Sequence, residues 1–211
     1  MQAASKGLVP QELRSRFSSD ITRGEFCTVL TQVLVQKDFA AYYEYKYPDD
    51  PPFTDSHDPN VWWLNSLGVV SGVGEGRFNP DGQITRQEAA VMLRRAAISF
   101  GVGDGGTETE FADQSQVAGW ATEALGFVVS KGIMSGTGNN MFSPLGTYTR
   151  EQAYTTMVRI YDVIPVKVSI EGYFDAHPEL LGNGAGAETE KEPGREQEPG
   201  SMESKGIPAP E

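Results

Sequence analysis

Three arginines stand at matching places in this 211-residue chain, each directly after a threonine and two residues before Glu or Gln. The phrases are Ile21-Thr22-Arg23-Gly24-Glu25, Ile84-Thr85-Arg86-Gln87-Glu88 and Tyr148-Thr149-Arg150-Glu151-Gln152, and their threonines lie 63 and then 64 residues apart. Thr followed three residues later by Glu or Gln, ahead of an apolar run, is the capping box that starts a helix. A cation sits badly at the positive end of that helix. Two readings of Arg23, Arg86 and Arg150 follow. Either they are solvated first-turn residues paired with nearby carboxylates, or they aim guanidinium forks at an anionic ligand, where bidentate geometry suits a carboxylate.

Other chemistries find little support. Asp81-Gly82-Gln83-Ile84 followed by Glu88 has the Gly, Ile and Glu spacing of a calcium loop. Its first ligand position, however, falls on Arg77, and on Met141 in the later copy, where an oxygen donor is needed; Gln152 also replaces the bidentate acid. The glycine loop at 72–76 lacks the preceding strand and GK[ST] ending of a phosphate cradle. His57 and His177 both sit beside Asp and Pro in turn-like contexts and read as surface turn residues rather than general bases. Cys27 reads as a small packing residue, and a single cysteine excludes an internal disulfide. The chain is therefore expected to be non-catalytic, with no metal and no cofactor.

The elements that position the arginines repeat with them. After Thr22, Thr85 and Thr149 the apolar positions keep helical spacing: Phe26, Val29, Leu30 and Leu34; Ala89, Ala90, Met92, Leu93 and Ala96; Ala153, Met157, Val158 and Tyr161. Three amphipathic helices of similar length should share one core, which makes the fold class all-α. Upstream of the later two boxes run Phe53-Thr54-Asp55 and Phe111-Ala112-Asp113, then a helix, then a glycine loop ending in Phe78-Asn79-Pro80 or Phe142-Ser143-Pro144. Phe78 and Phe142 should plug their loops into the core, and Pro80 and Pro144 should stiffen the exits. From the opening Phe to the loop glycine is 19 residues in one copy and 25 in the other, which predicts a first helix shorter by about a turn and a half in the former.

This organisation divides the chain into a partial repeat at 1–36, a Tyr/Pro-rich linker at 37–52, full repeats at 53–103 and 104–165, a short extended segment at 166–181 and an acidic Pro/Gly-rich disordered tail at 182–211. Lys6-Gly7-Leu8-Val9 resembles Lys131-Gly132-Ile133-Met134 from deep inside the last repeat, so the first repeat begins halfway. An upstream domain or a separate partner is expected to complete it. The tyrosines Tyr42, Tyr43, Tyr45 and Tyr47 suit either sugar stacking or amphipathic packing outside the bundle. The linker Gly101 to Thr109 reads as flexible. A formal charge of -12 with no basic stripe argues against nucleic acid, and no stretch reaches the length of a membrane span. The opening Met1 to Pro10 lacks the apolar core of a signal peptide.

Taken together over about 160 residues, the order Phe-x-Asp, a helix bearing Trp, a glycine loop with Phe-x-Pro, then Ile-Thr-Arg-x-Glu resembles the S-layer homology (SLH) domain of bacterial surface proteins. The resemblance implies three tandem repeats in a pseudo-threefold bundle, with the box-opened helices central and the remaining helix and loop of each repeat forming a prong. It implies a secreted module at the bacterial cell surface that binds secondary cell-wall polysaccharide linked to peptidoglycan, commonly through a pyruvate ketal. By the same resemblance Arg23, Arg86 and Arg150 would meet the ligand carboxylate in grooves between prongs, joined by Asp55, Asp113, Trp62, Trp120 and Lys131. Asp55 and Asp113 equally suit turn or cap roles, and Trp62 and Trp120 equally suit core packing. Gln152 departs from the family's acid, and the incomplete first repeat should leave at least one groove incomplete. The competing expectation is an SLH-derived scaffold that has lost sugar binding and contacts protein instead.

Overall fold

The computed structural model describes residues 2–181, so the tail expected at 182–211 lies outside the described residues. Within 2–176 the chain is helical: α1 (Gln2–Ser5), α2 (Arg23–Lys37), α3 (Phe39–Tyr43), α4 (Pro59–Ser66), α5 (Arg86–Ser99), α6 (Thr122–Ser130), α7 (Arg150–Val163) and α8 (Ile170–Ala176). The all-α expectation holds. Each box opens its helix as expected, with reciprocal bonds between Thr22 and Glu25, Thr85 and Glu88, and Thr149 and Gln152.

A helix start leaves four backbone N–H groups without intrahelical partners, and here all four can be followed. The box satisfies the first and last. The middle two, on the arginine and the residue after it, donate to the loop of another repeat: Arg23 to Gly82 and Gly24 to Pro80, Arg86 to Gly146 and Gln87 to Pro144, Arg150 to Ser19 and Glu151 to Phe17. The direction is cyclic, so α2 leans on the second loop, α5 on the third and α7 on the first. A smaller ring lies within it. Ile84 N–H donates to Ile21, Ile21 to Tyr148 and Tyr148 to Ile84, at 3.3, 2.8 and 3.2 Å. The side chains of these three residues are buried, as are Phe26, Leu30, Leu93 and Met157 of the helices that follow them. The bonding among the three box helices is thus cyclic.

The loops are also equivalent. Arg16, Asn79 and Ser143 all take positive φ, at 51°, 61° and 58°, as do Gly7, Gly68 and Gly132 after the preceding helices. At Gly72 and Gly136 the loop folds back so closely that a Cβ would lie 2.6 Å from the Arg77 carbonyl oxygen or 2.8 Å from that of Met141. Phe78 and Phe142 are fully buried, as expected of the plugs.

Several expectations need correction. The first helices of the two later repeats are nearly equal, with 8 residues in α4 and 9 in α6. The additional residues of the third repeat form two 3-10 turns, Gln114–Gln116 and Gly119–Ala121, ahead of α6. The 101–109 linker is seated rather than free. Gly106 approaches Phe127 so closely that a Cβ would lie 2.6 Å from its amide nitrogen, and one on Gly126 would lie 2.4 Å from the Thr107 carbonyl oxygen. Arg94 clamps the linker through Asp104 at 2.6 and 2.9 Å and also reaches Glu123. Segment 166–181 is extended only at its start, where Lys167 and Val168 donate to the Lys37 carbonyl. Residues Ile170–Ala176 are instead helical, because Tyr173 and Phe174 find an apolar surface in Phe39, with ring centroids 5.3 and 5.6 Å away. The tyrosine segment packs in part: Tyr42 meets Trp63 edge-on at 5.0 Å, while Tyr43 and Tyr47 are exposed.

Asp113, with only 2% of its surface exposed, accepts the Phe142 and Ser143 amides at 2.9 and 2.7 Å. Asp113→Ala orphans both donors and should lower unfolding stability by about 3 kcal/mol in urea titrations. The equivalent Asp55 is exposed, and the Phe78 amide, followed by that of Asn79, holds its carboxyl below the ordinary range. A carboxyl lowered on folding stabilises above its unfolded value, near ~4, and loses that contribution as pH falls through the folded value. The stability gap between wild type and Asp55→Asn should therefore shrink between pH 6 and pH 3.

Candidate functional site

The box arginines do not point into open water. Arg23, Arg86 and Arg150 expose only 5%, 6% and 9% of their surfaces. Arg23 Nε donates to the Phe78 carbonyl at 3.1 Å and Nη2 to that of Ser71 at 3.4 Å, while the guanidinium lies 4.8 Å from the Phe78 ring centre. Arg86 repeats this arrangement, with Nε to Phe142 at 2.8 Å, Nη2 to Ser135 at 2.7 Å and the Phe142 ring centre at 4.7 Å. Arg150 reaches the Ser15 carbonyl at 3.0 Å. Each fork thus grips the same neighbouring loop that its helix N-terminus leans on. The backbone carbonyls and ring face offset the unfavourable helix-dipole position.

The three sites differ in their counter-charge. Arg23 pairs with Glu88 at 3.1 Å. Arg150 holds both carboxylate oxygens of Glu25, and that bond raises its pKa. Arg86 has Gln152 at the equivalent place and makes no ion pair with a described residue. Burial pushes its pKa down, opposed by Tyr148 and then Asp113.

Two of these arginines line open grooves. The Arg23 groove, about 470 Å³, is bounded by Ser71, Val73, Glu88, Met92, Arg95 and Trp120. The Arg86 groove, about 350 Å³, is bounded by Ser135, Thr137, Gln152, Thr155, Thr156 and Arg159. At the repeat offset Ser71, Val73, Glu88, Met92 and Arg95 correspond to Ser135, Thr137, Gln152, Thr156 and Arg159, whereas Trp120 lines only the first groove and Glu151 only the second. A further cavity of about 600 Å³ lies between the 101–109 linker and α6; of its three acids, Asp104 and Glu123 are engaged by Arg94, and Glu108 is the third.

The structure brings together only some of the residues singled out in the sequence. Arg23 and Trp120 share one groove, and Arg86 lines the other. Asp55 and Asp113 hold loop amides, so their carboxylate oxygens face backbone donors. Trp62 donates its indole N–H to the Ser56 carbonyl and meets Tyr47, whereas Trp120 is 61% exposed. The two tryptophans are not equivalent: Trp63, fully buried, corresponds to Phe127 at the repeat offset. Lys131 is exposed, with its ammonium 5.8 Å from the Phe127 ring centre. Arg95 and Arg159 were not among the candidates. Their matched positions, seven residues after Glu88 and Gln152, were the available signal. Cys27 is fully buried, and burial pushes its thiol far above the ordinary range, consistent with a packing role.

Comparison with known proteins agrees with this architecture. The S-layer homology domain model matches residues 46–90 and 110–153. The chain is 27% identical over 179 residues to the surface-layer 125 kDa protein of Lysinibacillus sphaericus, covering 78% of this chain and 14% of that protein. It is 29% identical over 157 residues to an S-layer protein of Bacillus thuringiensis subsp. finitimus, covering 70% and 18% respectively. An amylopullulanase of Thermoanaerobacterium thermosulfurigenes is 28% identical over 141 residues, 63% of this chain and 7% of that protein. The chain thus spans less than a fifth of the length of these relatives. Among the described residues no helix is long and apolar enough to cross a membrane. The domain match, shared with S-layer proteins, supports a cell-wall anchoring role. Over these two segments, less than half of the chain, the sequence is similar to the S-layer homology domain.

Proposed function

We propose that this chain is a non-catalytic anchoring module that binds secondary cell-wall polysaccharide at the bacterial surface through its inter-repeat grooves. The carrying observation is the pair of open grooves, built from corresponding residues of successive repeats, each with a buried box arginine in its lining. A sugar bearing a pyruvate ketal offers the carboxylate that a guanidinium suits. In this reading segment 1–36 serves as a partial first repeat. The Arg150 fork is already filled by Glu25 and Ser15, which leaves two working grooves. Trp120 is the wall on which a sugar ring stacks, since its exposed face is otherwise an apolar surface given to water.

Sedimentation with purified sacculi tests the reading. The chain should co-sediment with native sacculi and stay in solution when the secondary polymer has been chemically stripped. Trp120→Ala, at a side chain outside the core, should weaken retention by about threefold to tenfold while leaving the unfolding midpoint unchanged. Equal retention on stripped sacculi, or full retention by the variant, would contradict it. Retention on a protein component of stripped walls would favour the scaffold alternative.

A further inference from the structure

The two later repeats brace their loops with the motif that opens them. Asp55 accepts the Phe78 and Asn79 amides, and Asp113 accepts those of Phe142 and Ser143. The residue before each Asp adds a third bond, from Thr54 N–H to the Gly76 carbonyl at 2.9 Å and from Ala112 N–H to that of Asn140 at 2.7 Å. The opening ring meets the plug, with centroids 5.3 Å apart for Phe53 and Phe78 and 5.5 Å for Phe111 and Phe142. In the first repeat the matching loop positions are Leu13, Ser15 and Arg16, with Arg16 at the same positive φ of 51°. There the Ser15 and Arg16 amides have no acceptor among the described residues, and the Leu13 carbonyl accepts only the Tyr154 hydroxyl. Ser15 is exposed and puts a small side chain where the other loops put a ring. Beside this loop the prong helix is short, with 4 residues in α1 against 8 in α4 and 9 in α6. A cavity of about 190 Å³ opens between α1 and α7 at Ala3, Glu151, Tyr154 and Val158.

The chain carries a further copy of the bracing motif. Tyr173-Phe174-Asp175-Ala176-His177 repeats the aromatic, Asp, small residue and His of Phe53-Thr54-Asp55-Ser56-His57 at the same spacing. It follows Thr149 by 24 residues, much as Phe111 follows Thr85 by 26. The order around the bundle assigns it a loop. The motif after α2 braces the loop that Arg23 of α2 grips, and the motif after α5 braces the loop that Arg86 of α5 grips. By that rule the motif after α7 belongs to the loop that Arg150 grips, which is the loop of Ser15. The reach suffices, since the ten residues from Val163 to Tyr173 can span about 33 Å, whereas the 14 residues of α7 rise only about 21 Å. In the structure the motif sits elsewhere. Tyr173 and Phe174 pack on Phe39 of α3, and Asp175 is exposed with no hydrogen bond or ion pair to a described residue.

From these observations we propose that residues 173–175 have a second seat on the first-repeat loop, where Asp175 accepts the Ser15 and Arg16 amides and the Tyr173 ring fills the space beside Ser15. The motif at the end of the bundle then completes the repeat to which 1–36 belongs. Arg14 and Arg16 flank Ser15, with Glu12 and Asp20 farther along the loop, so a carboxylate seated there meets two guanidinium groups at close range. The move gives up the contacts of α8 on Phe39 and gains charge-assisted bonds to backbone amides that otherwise face water. The balance between the two seats is therefore set by two ring contacts on one side and one carboxylate on the other. No sugar takes part, so this closure stands apart from the anchoring reading.

Residue-resolved amide exchange by NMR on the full chain tests the closure. Phe39→Ala removes both ring contacts from the observed seat and should shift the motif toward the loop, slowing exchange at Ser15 and Arg16 about tenfold. Phe39→Leu, which keeps an apolar side chain, should act in the same direction with a smaller amplitude. Adding Asp175→Ala to either variant should restore the wild-type rates, because the acceptor is gone. The Phe78 and Ser143 amides, already braced by Asp55 and Asp113, should not change in any of these and serve as the control for an intact bundle. All rates should be the same at low and high protein concentration. Unchanged exchange at Ser15 and Arg16 in both Phe39 variants, or slowing that survives Asp175→Ala, would overturn the second seat. Slowing that grows with concentration would put the motif of a second copy on the loop and overturn closure within one chain.

Discussion

The arrangement depends on one interaction, the reach of each box arginine into the loop of another repeat. Its amide N–H and its guanidinium both grip that loop, so a single residue meets two needs. It satisfies one of the orphan donors at a helix start, and it holds a reversal of chain whose carbonyls would otherwise point into a narrow gap. Since α2 leans on the second loop, α5 on the third and α7 on the first, the three contacts close a ring without a sheet. The phenylalanine under Arg23 and Arg86 serves both neighbours, plugging its own loop into the core and offering a ring face to the cation.

That solution creates the grooves as a by-product. A guanidinium buried between two repeats leaves a cleft alongside it, and the chemistry of the cleft follows from what stands three residues past the box threonine. With Glu25 the cleft's fork is filled, with Glu88 it is partly neutralised, and with Gln152 the fork makes no ion pair among the described residues, only the charge of Asp113 acting on it from nearby. Gln and Glu cap a helix equally well, so the exchange changes electrostatics while leaving the local fold alone. This separation of structural and ligand-facing roles lets a repeat vary in binding without varying in shape.

Much of this was legible in the sequence because it is local. Thr22, Thr85 and Thr149 mark helix starts through contacts three residues away, and Phe78 and Phe142 announce their burial by type and place. The partners of the arginines were not legible. Ser71, Ser135 and Ser15 contribute carbonyl oxygens, and any residue type can do that. The same blindness affected Asp113, whose type fits a ligand contact and a loop brace equally, and only the fold shows it bonded to the Phe142 and Ser143 amides. Counting residues misled where the chain takes tighter turns: the six additional residues before the third glycine loop went into 3-10 turns, and Trp62 and Trp120 were thereby set on different surfaces. Glycine content suggested a free linker at 101–109. Gly106 and Gly126 are there instead because backbone must meet backbone.

The account stands or falls on whether the arginine fork, and not its charge alone, holds the neighbouring loop. Amide hydrogen exchange of Arg86→Lys measures this directly, since lysine keeps the cation but cannot reach the Ser135 and Phe142 carbonyls together. Exchange should quicken on the order of tenfold across residues 135–146 while the amides of α2 keep their wild-type protection. Wild-type protection throughout 135–146 would show that the loop holds itself and that the arginine is a bystander.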